Sequence, residues 1–184
     1  MPASSELHVV RLTPALADAV GALQVTPEQR AYVGDPTVNV VNTLQDPLSE
    51  GMAIFCGDTL VGSYRLDFSA NAITGRPYAP ASVGLRAFLI DRRHQQRGRG
   101  ARAAIALCDD LAVRHPQRRV LLLAVHARNR AGIATYRRAG FVATGTWLSG
   151  GRAGPQQLML RALGVPARGA PVAAAARVGE SADG

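Results

Sequence analysis

The chain has 184 residues, 47% of them hydrophobic and 18% charged, with a net charge of +8. That length carries one domain with its own core and leaves little room for a second. No apolar run approaches the roughly 20 residues of a membrane helix. The opening MPASSELHVV lacks the basic-then-apolar order of a secretion signal, and Cys56 and Cys108 have neither metal-ligand nor disulfide-scaffold spacing. These bounds predict a soluble, reduced, cytoplasmic protein without a metal site.

All 21 basic residues are arginine. Thirteen of them fall between Arg86 and Arg138 against three acids, whereas Met1–Leu85 holds four arginines against eight acids. A basic centre behind an acidic first half suits an anion held in the middle and a cation presented from the other side.

In chain order, Leu7–Leu12 reads as a strand, and Pro14 opens a helix over Ala15–Leu23. Thr26-Pro27-Glu28-Gln29 is a second helix start, continued by Arg30–Val33, and Pro36–Leu44 reads as a third helix. Met52–Cys56, the turn Gly57-Asp58 and Leu60–Asp67 form a hairpin pattern. A loop over Ser69–Pro80 then leads to a strand at Ser82–Ile90.

Gln95–Gly100 (QQRGRG) is a glycine turn, followed by a helix over Ala101–Arg114. The apolar Val120–Val125 reads as a central strand. Arg130–Ala139 is a helix with Asn129 as N-cap and Gly140 beyond its end. Phe141–Leu148 and Gln156–Leu160 are the last strands, and residues 164–184, aperiodic and rich in Ala, Gly and Pro, read as a disordered tail. This order predicts an α/β layered domain with a mixed sheet over residues 1–163.

An apolar strand, a glycine turn and a helix start together make an anion cradle. First-turn N–H groups lack helical partners and carry partial positive charge, and glycines at 98 and 100 let backbone approach a ligand. Arg97, Arg99 and Arg102 add charge at the rim. The dinucleotide GxGxxG pattern fails, since Ala103 stands at its last position, and no Walker lysine is present.

Gln95-x-x-Gly98-x-Gly100 after Phe88-Leu89-Ile90-Asp91, with Asn129, Tyr136 and Gly140-Phe141 about 30 residues on, resembles the GNAT family of acetyl-CoA-dependent N-acetyltransferases. More narrowly, LQVTPEQRAYV (Leu23–Val33) and FLIDRRHQQRGRGARAA (Phe88–Ala104) are similar to bacterial spermine/spermidine and diamine acetyltransferases. The resemblance implies a mostly antiparallel central sheet flanked by helices, with a splayed strand pair and a pyrophosphate-binding turn. It implies acetyl-CoA as co-substrate, its pantetheine arm along Phe88, Leu89 and Ile90. The pyrophosphate would lie on Gln96, Arg97, Gly98, Arg99, Gly100 and Ala101. Asn129 matches a cofactor-touching position, and it suits simple helix capping equally well.

Tyr136 matches the residue that protonates the departing thiolate, although its spacing from Ile133 and Gly140 also fits a packed helix face. A general base is harder to find. An alkyl amine with a pKa near 10.4 is neutral in roughly one molecule in 2,500 at pH 7, a penalty of about 4.6 kcal/mol. The strand glutamate that many family members use is here Ala124; His126, two residues on and on the same strand face, offers an alternative base, directly or through water. Glu28 and Asp67, in the acidic half, are candidates for holding a cationic acceptor.

The expected reaction is direct acetyl transfer to a small cationic amine such as a polyamine. Protein N-terminal and antibiotic-modifying acetyltransferases share these cofactor residues, and a non-catalytic CoA-binding module is the rival outside enzymes. Specific nucleic-acid binding is disfavoured because no aromatic residue interleaves the arginines between Phe88 and Tyr136. Open strand edges suggest a homodimer.

Overall fold

The structure, a computed structural model, describes residues 6–79, 81–149 and 154–164. The expected tail thus lies almost wholly outside the described residues.

Local signals set the helices. Behind β1 (Leu7–Arg11), α1 (Pro14–Gly21), α2 (Pro27–Val33) and α3 (Pro36–Gln45) each begin with proline at a position that needs no N–H. Thr26 and Gln29 close a reciprocal capping box on α2, and Asp35 caps α3 by accepting from the N–H groups of Thr37 and Val38. Then come β2 (Ser49–Cys56), β3 (Thr59–Asp67), β4 (Ser82–Ile90), a 3-10 turn (Arg92–His94) and α4 (Arg99–Arg114). The chain continues through β5 (Val120–His126), α5 (Arg130–Arg138), β6 (Val142–Leu148) and β7 (Gln156–Ala162). Helix α4 starts two residues before the expected Ala101, and the 3-10 turn was not signalled by the sequence pattern.

The seven strands form one sheet in the order β1-β2-β3-β4-β5-β7-β6. Every pairing is antiparallel except β4 with β5. Fully buried Leu107 and Leu111 of α4 pack on Leu121 and Leu123 of β5 and on Ile54 and Leu66 of the hairpin. Shortening one such leucine to alanine costs about 2–5 kcal/mol. On the opposite face, Val20, Leu23 and Val40 from the first helices cover Ala53 and Leu89.

Two features open the sheet in its middle. The β4–β5 ladder has only three partners and ends at Gly84↔Leu122, while β5 stays paired with β7 through His126. Opposite β3, Ser63 faces Leu89 and Arg65 faces Arg86, so Tyr64 alone spans two residues of β4. Ala87 in this bulge has φ +50°, a left-handed conformation unusual for a residue with a Cβ. The bulge bends the second half of β4 away from β5 and leaves a wedge-shaped gap.

Candidate active site

The gap is the floor of a cleft of about 560 Å³. Phe88, Leu89 and Ile90 form one wall, and their backbone edge toward β5 has no strand partner. Such an edge offers N–H and C=O groups to an extended, amide-containing ligand.

At the mouth of the gap, Gln96 (φ +64°), Arg97 (φ +57°) and Gly98 (φ +70°) are three successive left-handed residues. Two of them are not glycine, and each such residue carries strain of order 1–3 kcal/mol, a pattern typical of ligand clamps. The turn is braced from outside. The Arg99 guanidinium donates to His94 O, Gln95 Nε2 donates to Ile90 O, and the Gln29 and Gln95 amides bond each other at 2.9 and 2.8 Å. Arg99 N–H donates to Gln96 O and Arg102 N–H opens the helical ladder on Gly98 O, which leaves the Gly100 and Ala101 N–H groups outside the ladder at the positive end of the helix dipole.

Gly98 has no described protein atom within 4 Å of where a Cβ would stand. Gly100 serves differently from expectation: its Cβ would press on Thr135 at 3.2 Å, so this glycine lets α4 approach α5. Arg97 contributes its backbone conformation, and its side chain does not line the cleft, whereas Gln96, Arg99, Gly100 and Ala101 do. Asn129 lines the cleft while its side chain accepts from Gly132 N–H at 2.9 Å, so capping and a place at the site coexist.

Tyr136 also lines the cleft, its ring between Phe88 (5.9 Å) and Phe141 (5.5 Å). Burial among these rings pushes the phenol above its ordinary value, so it holds its proton throughout the neutral range.

Across the gap, His126 is 5% exposed and packs on the Tyr32 ring at 5.3 Å. Its Nε2 meets the Gln156 amide nitrogen at 3.1 Å, and its Nδ1 is buried without a described partner. The nitrogen that could reach the cleft is thus engaged and the other is sealed, which weighs against direct proton abstraction. The two carboxylates expected to hold the acceptor do not line the cleft. Burial works against the Asp67 charge, yet hydrogen bonds from Ser69 and Arg86 hold its carboxyl below the ordinary range. Its oxygens are consumed within the protein. Glu28 sits in the exposed first turn of α2.

Sequence reading missed Tyr32, Gln156, Arg86 and the Gln29–Gln95 pair. The helix start marked Gln29 and the glycine-turn motif marked Gln95, but their pairing and the places of Tyr32, Gln156 and Arg86 rest on long-range contacts with no local signature.

A splayed parallel pair, a left-handed turn at a helix start and a half-buried phenol are the features of a domain for acyl transfer from a pantetheine-bearing donor. A sequence model of the acetyltransferase (GNAT) family matches residues 21–141, and the chain belongs to this family of acetyl-CoA-dependent N-acetyltransferases. No curated protein sequence matches the chain. Among solved structures, an aminoglycoside acetyltransferase in complex with coenzyme A is 16% identical, with a TM-score of 0.70 over 85% of this chain and 95% of that one. A spermidine N-acetyltransferase from Vibrio cholerae, in complex with CoA and spermine, is 16% identical with a TM-score of 0.64 over 87% and 97%. A ribosomal L7/L12 alpha-N-protein acetyltransferase in complex with coenzyme A is also 16% identical, with a TM-score of 0.66 over 88% and 97%. At such identities these likenesses establish the shared fold. No helix among the described residues is long and apolar enough to cross a membrane, and none of their side chains cluster as a metal site.

Proposed function

We propose that the cleft transfers an acetyl group from acetyl-CoA to an amine by direct attack, with both reactants bound at once. The observation that carries this reading is the continuity of the cradle, the open β4 edge and Tyr136 along one wall of a single cleft. Acetyl-CoA supplies the thioester and a thiolate leaving group. The turn 96–101 holds its pyrophosphate, and the edge of Phe88–Ile90 aligns its pantetheine arm. Asn129 touches the cofactor while capping α5. The amine nitrogen forms the C–N bond as the C–S bond breaks; Tyr136 Oη gives a proton to the departing sulfur and is reprotonated, through solvent, by the proton the acetylated nitrogen loses, a role that needs a phenol still protonated at neutral pH. Alignment of two reactants in one cleft supplies much of the rate.

His126 is assigned to the wall of the acceptor side rather than to proton abstraction, because Gln156 holds its Nε2. Among acceptors, the polyamine reading has the spermine-bound neighbour in its favour. Against it, no described residue lining the cleft is acidic. We place the protein in the cytoplasm, where Cys56 and Cys108 stay free thiols, and a second copy would pair along the outer strands β1 or β6.

The test is CoA release from acetyl-CoA over a panel of polyamines, aminoglycosides and peptides with free N-termini, alongside calorimetric binding of acetyl-CoA. Amine-dependent release is expected. Absence of both release and binding would overturn the reading.

A further inference from the structure

The acceptor side of the gap is bounded by Arg86 of β4, Ile73 of the β3–β4 loop, Tyr32 and Val33 of α2, His126 of β5 and Gln156 of β7. The charged side chains lining the cleft are Arg86, Arg99 and Arg138, and the one on β4 is the Arg86 guanidinium. Asp67 grips that group by Nε at 2.7 Å, and the two terminal nitrogens donate to no described residue. The side chain remains 43% exposed. A guanidinium clamped at Nε with its other donors open is oriented to receive an anion.

Two demands of a polycationic acceptor therefore go unmet. Extra ammonium groups would enter the cleft without counter-charges and beside a fixed arginine, and like-charge juxtaposition discriminates strongly. A strongly basic amine would also need help to lose its proton, and the described residues lining the cleft present no carboxylate and no open imidazole nitrogen. A peptide α-amine, with a pKa of about 7.7–8.0, is already neutral in about one molecule in ten at pH 7 and needs no strong base.

Resting on the acetyl-transfer reading, we propose that the acceptor is the α-amine of a peptide N-terminus with an acidic residue beside it, whose carboxylate is read by the free face of Arg86. Asp67 is the positioning residue for that arginine. Apolar Ile73 and Val33 and the Tyr32 ring flank the first side chain, which favours a small or apolar residue there.

The experiment compares initial rates for three acceptors: Ser-Asp-Ala-Ala-amide, Ser-Lys-Ala-Ala-amide and spermidine. The acidic peptide should exceed the lysyl peptide by about tenfold or more in kcat/KM, the size of one charge-assisted hydrogen bond. In Arg86→Gln that ratio should collapse toward one, chiefly through KM, and Arg86→Lys should restore part of it. Acetyl-CoA affinity, measured by calorimetry on each variant, reports whether the fold survives loss of the Asp67 partner. Spermidine or the lysyl peptide outpacing the acidic one would overturn the acceptor assignment and leave acetyl transfer standing. An acid-to-base ratio unchanged in a folded Arg86→Gln would remove Arg86 from recognition. No transfer to any of the three, with acetyl-CoA bound, would overturn the acceptor assignment and leave acetyl transfer to be decided by the wider amine panel.

Discussion

Tyr136 occupies a place where packing would serve the proton donation proposed for it. Phe88 and Phe141 hold its ring and withhold water, and that same burial raises the phenol so that it donates rather than ionises near neutrality. Tyr136→Phe preserves the aromatic contacts and removes only the hydroxyl. Turnover should fall by about a hundredfold, in the range of a lost general acid, while the acetyl-CoA dissociation constant moves by no more than about twofold. Steady-state rates set against calorimetric affinities check both halves, and a Phe variant with wild-type turnover would remove Tyr136 from the chemistry. Because the raised value keeps the group protonated past its ordinary pKa of about 10, no alkaline loss of rate up to that pH should trace to Tyr136.

At the scale of elements, the turn between β4 and α4 joins local and distant causes. Its glycines, its arginines and the helix behind it were legible in the sequence because helix starts and tight turns are written in a few adjacent residues. So were the boxed start of α2 and the Asn129 cap. What the pattern did not show depends on distance. The bulge at Ala87 arises from register against β3, and the gap arises because β5 follows β7 rather than β4. The Gln29–Gln95 pair closes over 66 residues of chain, and Arg86 was invisible as an acceptor residue until β3 brought Asp67 beside it. Asp67, expected at the acceptor, is engaged by Ser69 and Arg86 for the same reason: charge counted along the chain does not say which charges are already paired.

The left-handed turn also yields a prediction with two controls. Gly98→Val forces a β-branched residue to φ +70° and should weaken acetyl-CoA binding by about tenfold or more. Gly98→Asn tolerates the left-handed conformation but still projects a side chain into the open space above the turn. If that space receives the pyrophosphate, Asn weakens binding as well. Full affinity in a folded Asn variant would mean that only the backbone conformation matters there, and full affinity in both would detach the turn from the cofactor.

For the molecule as a whole, the acidic first half and the arginine-rich centre meet at Asp91. Its carboxylate is fully buried and accepts from Gln24 N–H of the α1–α2 connection and from the N–H, Nε and terminal guanidinium nitrogen of Arg93. Arg92 N–H in turn donates to Gln24 O. One side chain thus ties the segment that leads into α2 to the segment that leads into the left-handed turn before α4. Hydrogen bonds from Arg93 above all, and then from the backbone of Gln24 and Arg93, hold the Asp91 carboxyl well below the ordinary range against the opposing effect of burial. Its folded value therefore lies beneath the unfolded value of about 3.9. The stability it contributes is complete above the unfolded pKa and drains away as pH falls through about 4 and below. Thermal unfolding followed from pH 7 to pH 2 should show the wild type losing Tm steeply at the acid end. Asp91→Asn, close in shape but uncharged and offering an amide toward existing donors, should be less stable at pH 7 and should lose less between about pH 5 and pH 2. Parallel curves for the two proteins would show that Asp91 does not carry the acid response. If the joint works as described, acetyl-CoA affinity in the variant falls even where the fold persists, because the cofactor turn loses the anchor that sets it against the first helices.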